Sequence, residues 1–175
     1  MAKFWNFVLF QIGWFACVLG AAYHAPWLGV FNALFILMLH CKRSKHKQAE
    51  NNLLLLAALF GLVFDSLLLQ LGWVSFEPVA YWPDALSPPW MIALWALFAS
   101  TLNISLNWLK KYTLVAYLLG AVSGPLCYWA GERLGALHLV NFNMAMVYLA
   151  VGWAIAVPLL LKVAAALMNK EINRV

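Results

Sequence analysis

The sequence consists of apolar runs about as long as a bilayer is thick, joined by short polar turns. Six runs, at about 4–23, 26–41, 52–73, 90–109, 112–130 and 141–168, each hold at most one Asp, Glu, Lys or Arg. A helix needs about 20 predominantly apolar residues to cross the hydrocarbon core, so six crossings with short connections account for nearly all 175 residues. The second run is the shortest and sits near the lower limit for a crossing. Hydrophobic residues make up 66% of the chain and charged residues 10%, where a soluble domain carries about 25% charge. There is too little polar surface to cover a globule in water. That excludes a soluble enzyme, a nucleic-acid module and a disordered chain. The expectation is a single all-α domain over 1–175, a polytopic transmembrane helical bundle.

Charge placement sets the expected orientation. Eleven Lys and Arg face six Asp and Glu. Lys3, the run Lys42, Arg43, Lys45 and Lys47, then Lys110, Lys111, Lys162, Lys170 and Arg174 would all gather on one face, against Arg133 alone on the other. The positive-inside rule then places both termini in the cytoplasm, as an even number of spans requires. The basic balance reads as contact with anionic lipid, not nucleic acid. Cys17, Cys41 and Cys127 form no CxxC pair, and the four histidines have no helical pairing; neither a disulfide framework nor a metal site is implied, and no cofactor is expected. The first run resembles a signal peptide but holds Gln11, Trp14 and Cys17, and reads as a retained helix.

Tryptophans 5, 27, 73, 82, 90, 108 and 129 fall near expected span ends, where indole favours the headgroup region. Trp14, Trp95 and Trp153 fall mid-span and read as packing residues whose N–H groups need acceptors. The echo between Gln11-Ile-Gly-Trp14 and Gln70-Leu-Gly-Trp73 hints at a repeated element.

Polar groups inside the spans are the candidate chemistry. Asp65 is read as the one acid well inside an apolar run, and placing it there costs about 2.5–3.5 kcal/mol on insertion scales. Two readings compete: a functional carboxyl, or a structural partner for a polar neighbour. His24, Glu132, Arg133, His138 and Asn141 share its side of the membrane in this topology. Glu132-Arg133 reads first as an interfacial cap. The alternative folds Arg133 inward onto Asp65 and leaves Glu132 with His24 or His138 as an acid/base pair. No HExxH, GxSxG or HxxxxD pattern is present. In the fourth run Ser100, Asn103 and Asn107 share a helical face, which reads as inter-helix hydrogen bonding, with the lining of a cavity as the second reading. In the fifth, Gly120 and Gly124 suit close helix approach, and Pro125 frees the carbonyl of Ala121.

Phe10-Gln11-Ile-Gly13-Trp14, Phe64-Asp65, Pro89-Trp90, Leu94-Trp95, Thr101-Leu102, Gly124-Pro125 and Tyr128 together resemble a family of small bacterial inner-membrane proteins of unknown function. The resemblance covers almost the whole chain. Members are often encoded beside cyclopropane-fatty-acyl-synthase-like enzymes, which implies a role linked to fatty-acyl modification, membrane lipids as partners, and service to a lipid-modifying enzyme. It also implies that Asp65, Trp95, Thr101, Pro125 and Tyr128 matter. Three functions stay open, in this order. The first is an accessory protein holding a lipid or other apolar ligand through Trp95, Thr101, Asn103, Tyr128 and Arg133. The second is a membrane-embedded enzyme acting on a lipid through Asp65, Glu132, His24 and His138. The third is a small-molecule transporter. The sequence sets no oligomeric state.

Overall fold

The computed structural model describes residues 2–173, so Arg174 of the cationic set lies outside the described residues. Six α-helices follow one another: α1 (Ala2–Ala22), α2 (Pro26–Arg43), α3 (Lys47–Gln70), α4 (Pro89–Ala99), α5 (Thr113–Arg133) and α6 (Phe142–Ile172). A 3-10 helix, Asn107–Lys111, precedes α5. Among the described residues there is no strand beyond an isolated bridge between Ser75 and His138. Helices α1, α3, α5 and α6 are long and apolar enough to cross a bilayer. The expected all-helical membrane bundle is therefore what the chain forms.

Side-chain and backbone contacts sort the connections to two ends of the bundle. At one end Ser75 and His138 exchange backbone hydrogen bonds, each 2.9 Å, joining the α3–α4 loop to the α5–α6 turn. At the other, Asn6 holds Ser105, and Glu171 accepts from the Ala49 amide at 2.5 Å. The end of α6 thus meets the first turn of α3, and the start of α1 meets residues 100–105. At the opposite end α1, α3 and α5 close in the same way, with a left-handed residue just past the last turn: His24 (φ 57), Gly72 (φ 70) and Gly135 (φ 86). Each closure adds a hydrogen bond from the next residue to a carbonyl five back, such as Ala25 to Gly20 at 2.7 Å, the Schellman arrangement. Glycine fits that backbone freely, whereas histidine pays a steric penalty.

The fourth run differs from expectation. A continuous span over 90–109 was expected, but α4 has 11 residues, about 16 Å of helix. It stops because the Ser100 hydroxyl donates to the Leu97 carbonyl at 2.7 Å and Thr101 to Phe98 at 2.6 Å. Side-chain hydroxyls of this kind offer the backbone an alternative to the helical ladder. Residues 100–106 then turn irregularly, so Ser100, Asn103 and Asn107 do not share a helical face. Irregular backbone at membrane depth is tolerated where protein buries it, and Asn6 of α1 reaches both Ser105 and the Ser100 carbonyl.

Packing puts α4 at the centre, against α1, α2 and α3, while α5 packs chiefly on α6. The expected Gly120/Gly124 approach is present: side chains there would overlap the Trp153 backbone and indole. Trp90 is not an interfacial anchor, being 2% exposed. The two Gln-x-Gly-Trp segments are not a repeat, since Gly13 lies inside α1 whereas Gly72 caps α3. Gly124→Ala should cost about 1–3 kcal/mol by overpacking, read as a lowered Tm in detergent. An unchanged Tm would contradict the α5–α6 contact.

Candidate functional site

Asp65 is fully buried on α3 and has no cationic partner among the described residues. Its Oδ2 accepts from the Trp95 indole N–H at 2.8 Å, and its Oδ1 accepts from the Tyr128 hydroxyl. One carboxyl therefore ties α3 to α4 and α5. Around it lies a layer of rings: Trp95 stacks on Trp153 with centroids 4.4 Å apart, and Phe60 and Phe64 meet Trp95 edge-on. Gly61 of α3 leaves room for the Trp95 indole, because a Cβ there would overlap it.

Trp95 and Tyr128 also form part of the wall of a cavity of about 280 Å³. Phe7, Phe10, Trp14 and Val18 of α1 line one side, at helical spacing. Ser123, Cys127 and Tyr128 of α5 line the other, with Leu94, Trp95 and Phe98 of α4 behind. α1 and α5 do not pack extensively on each other, and Phe7 and Leu119 at the rim are exposed. The cavity lies open between these two helices. Its polar groups are few: the Thr101 hydroxyl already donates to Phe98 and Tyr128 to Asp65, while the buried Trp153 indole N–H has no partner among the described residues.

Other expected site residues fall elsewhere. Arg133 does not reach Asp65; it is exposed at the end of α5, and Asp65 is occupied by Trp95 and Tyr128. The reason is local, because Arg133 occupies the last position of α5, just before the chain turns at Gly135. Glu132 does lie beside His138, at 3.4 Å, but its Oε1 also accepts from the Leu139 amide at 2.8 Å. The pair has no bond to Asp65. His24 is exposed in the α1–α2 turn and lines a separate hollow with Glu77 and Trp27. Asn141 caps α6, accepting from the Met144 amide at 3.2 Å. Asn103 does not line the cavity. Its Nδ2 donates to Glu50 at 2.9 Å and its Oδ1 accepts from Lys110 Nζ at 2.6 Å.

That bond reveals a second buried acid missed in the sequence. Glu50, 3% exposed in the first turn of α3, also meets His40 Nε2 at 2.9 Å. Burial pushes the Lys110 pKa below that of a free lysine, while attraction to Glu50 pulls it back up. The available signal was the helical N-terminal position of Glu50 ten residues after His40, inside a stretch that reads as a solvated loop. No metal-binding group of three or more His, Cys, Asp or Glu occurs among the described residues.

Asp65→Leu leaves two buried donors unpaired and should destabilise by about 1–3 kcal/mol for each. Asp65→Asn keeps one acceptor and should cost less. Combining Asp65→Asn with Tyr128→Phe should be non-additive by at least about 0.5 kcal/mol, measured by thermal unfolding. Simple additivity would mean that the two side chains do not interact.

No curated protein and no solved structure matches the chain. A family model described as "Protein of unknown function (DUF2878)" matches residues 3–159, a range that holds Asp65, Trp95, Tyr128 and every cavity-lining residue. The chain belongs to this family, as the resemblance to an uncharacterised family implied.

Proposed function

We propose that the protein holds the acyl chain of a membrane lipid in the cavity between α1 and α5. The observation behind this reading is a cavity of about 280 Å³ with almost wholly apolar walls. Small-molecule sites are mostly apolar with a few placed polar groups. Here Tyr128 and Thr101 are already bonded within the protein, and the buried Trp153 indole N–H is a single donor left without a partner at a wall that otherwise favours hydrocarbon over a polar solute. An opening between two helices in a bilayer is supplied with lipid tails without any aqueous path. The accessory role toward a lipid-modifying enzyme, in a bacterial inner membrane with the lysine-bearing end in the cytoplasm, belongs to the same proposal.

An enzymatic reading is favoured by one feature, the Tyr128 hydroxyl at the cavity wall backed by the Asp65 carboxyl. In that reading Asp65 takes the phenolic proton as Tyr128 engages a lipid group. Glu132 and His138 form their own pair in the loop, with no bond to Asp65.

Native mass spectrometry of protein extracted in mild detergent tests the binding reading. The wild type should carry a phospholipid. Ser123→Trp, which fills the cavity from an exposed position, should lose it while stability changes by no more than about 0.5 kcal/mol. Equal lipid retention by wild type and Ser123→Trp would overturn the proposal.

A further inference from the structure

Beyond the acyl cavity, a separate small pocket lies at the lysine-bearing end, between the 3-10 helix, α5 and α6. Its volume is about 90 Å³, and its polar lining is Lys110, Lys162 and Thr113, framed by Leu109 and Pro158. Two lysines line one pocket, and no acid lines it.

The two lysines arrive there differently. Lys110 is half-buried and held by Asn103, which in turn is held by Glu50. A buried carboxylate and an amide thus fix the position of one ammonium, leaving two of its three N–H donors for other partners. Lys162 is exposed and forms no ion pair among the described residues. From Phe142 to Lys162 is 20 residues of continuous helix, about 30 Å, which equals the thickness of the hydrocarbon core. A helix entering the core at Phe142 would bring Lys162 to the far boundary of the core. Trp108 and Tyr112, packed with centroids 6.2 Å apart and both exposed, lie on the segment leading into Thr113, and exposed aromatic rings of this kind favour the headgroup level. Basic pockets between membrane helices at that depth suit acidic lipid headgroups.

We propose that Lys110, Lys162 and Thr113 seat the phosphate group of an anionic phospholipid. The two lysines neutralise the phosphate, and the Thr113 hydroxyl donates to one of its oxygens. Glu50 and Asn103 are positioning residues that aim Lys110 at the seat. Leu109 borders both this pocket and the acyl cavity, so the two are neighbours, and each can fail without the other.

The test offers the whole protein equal amounts of phosphatidylglycerol and phosphatidylcholine with identical acyl chains and reads the ratio of bound species by native mass spectrometry. The wild type should prefer phosphatidylglycerol. Each lysine near an anionic surface contributes about 1 kcal/mol, so Lys162→Gln should lower the preference about fivefold and the Lys110→Gln/Lys162→Gln pair should erase it. Lys162→Gln alone keeps the test decisive if the double variant fails to fold. A wild type without preference, or a Lys162→Gln variant that keeps the full preference, overturns the proposal. Inorganic phosphate is the alternative source of the same chemistry: if millimolar phosphate abolishes the preference, the seat takes a free anion and the lipid assignment fails. Total lipid bound reports on the acyl cavity and the ratio reports on this pocket. Ser123→Trp should lower the total and leave the ratio unchanged.

Discussion

A carboxyl shielded from water must find its hydrogen bonds inside the protein, and Asp65 finds them on two other helices. The arrangement of α5 depends on this. That helix packs chiefly on α6, and the Tyr128–Asp65 bond is its polar tie across the cavity floor to α3 and, through Trp95, to α4. The aromatic layer of Phe60, Phe64, Trp95 and Trp153 excludes water from the junction, which makes each bond there stronger and each unpaired group more costly. The same junction forms one wall of the cavity. Packing and the candidate site are therefore a single construction.

Much of this was legible in the sequence. Apolar run length fixed where helices form, because a bilayer sets the length of a crossing. Gly120 and Gly124 announced the α5–α6 contact, since small residues at helical spacing let backbones approach. Asp65 stood out because an acid in such a run is expensive. Its partners were hidden: nothing in the spacing of Trp95 and Tyr128 says that both point at one carboxyl 30 and 63 residues away. The alternative Arg133 partner rested on charge complementarity, which geometry overrode because Arg133 sits where the chain leaves the bundle.

Two further features were illegible for a different reason. Ser100, Asn103 and Asn107 follow a spacing compatible with a helix face, and periodicity cannot tell a polar face from a helix end. The hydroxyls of Ser100 and Thr101 decided it by bonding the preceding turn. Glu50 lies in a polar stretch that looks solvated, yet tertiary packing buries it with His40 and Asn103. Hydropathy registers the residue's own nature and not the neighbours that cover it.

The shortness of α4 bears on how the protein is made. An 11-residue helix followed by irregular backbone has little drive to enter a membrane alone. Its stabilising groups, Asn6, Glu50, Gly61 and Asp65, all precede it in the chain. When the ribosome releases residues 89–111, α1 and α3 have already been synthesised, and the exposed carbonyls of the break can be satisfied on arrival. The order of segments along the gene thus lets the shortest α-helix be inserted into a receptacle built by its predecessors.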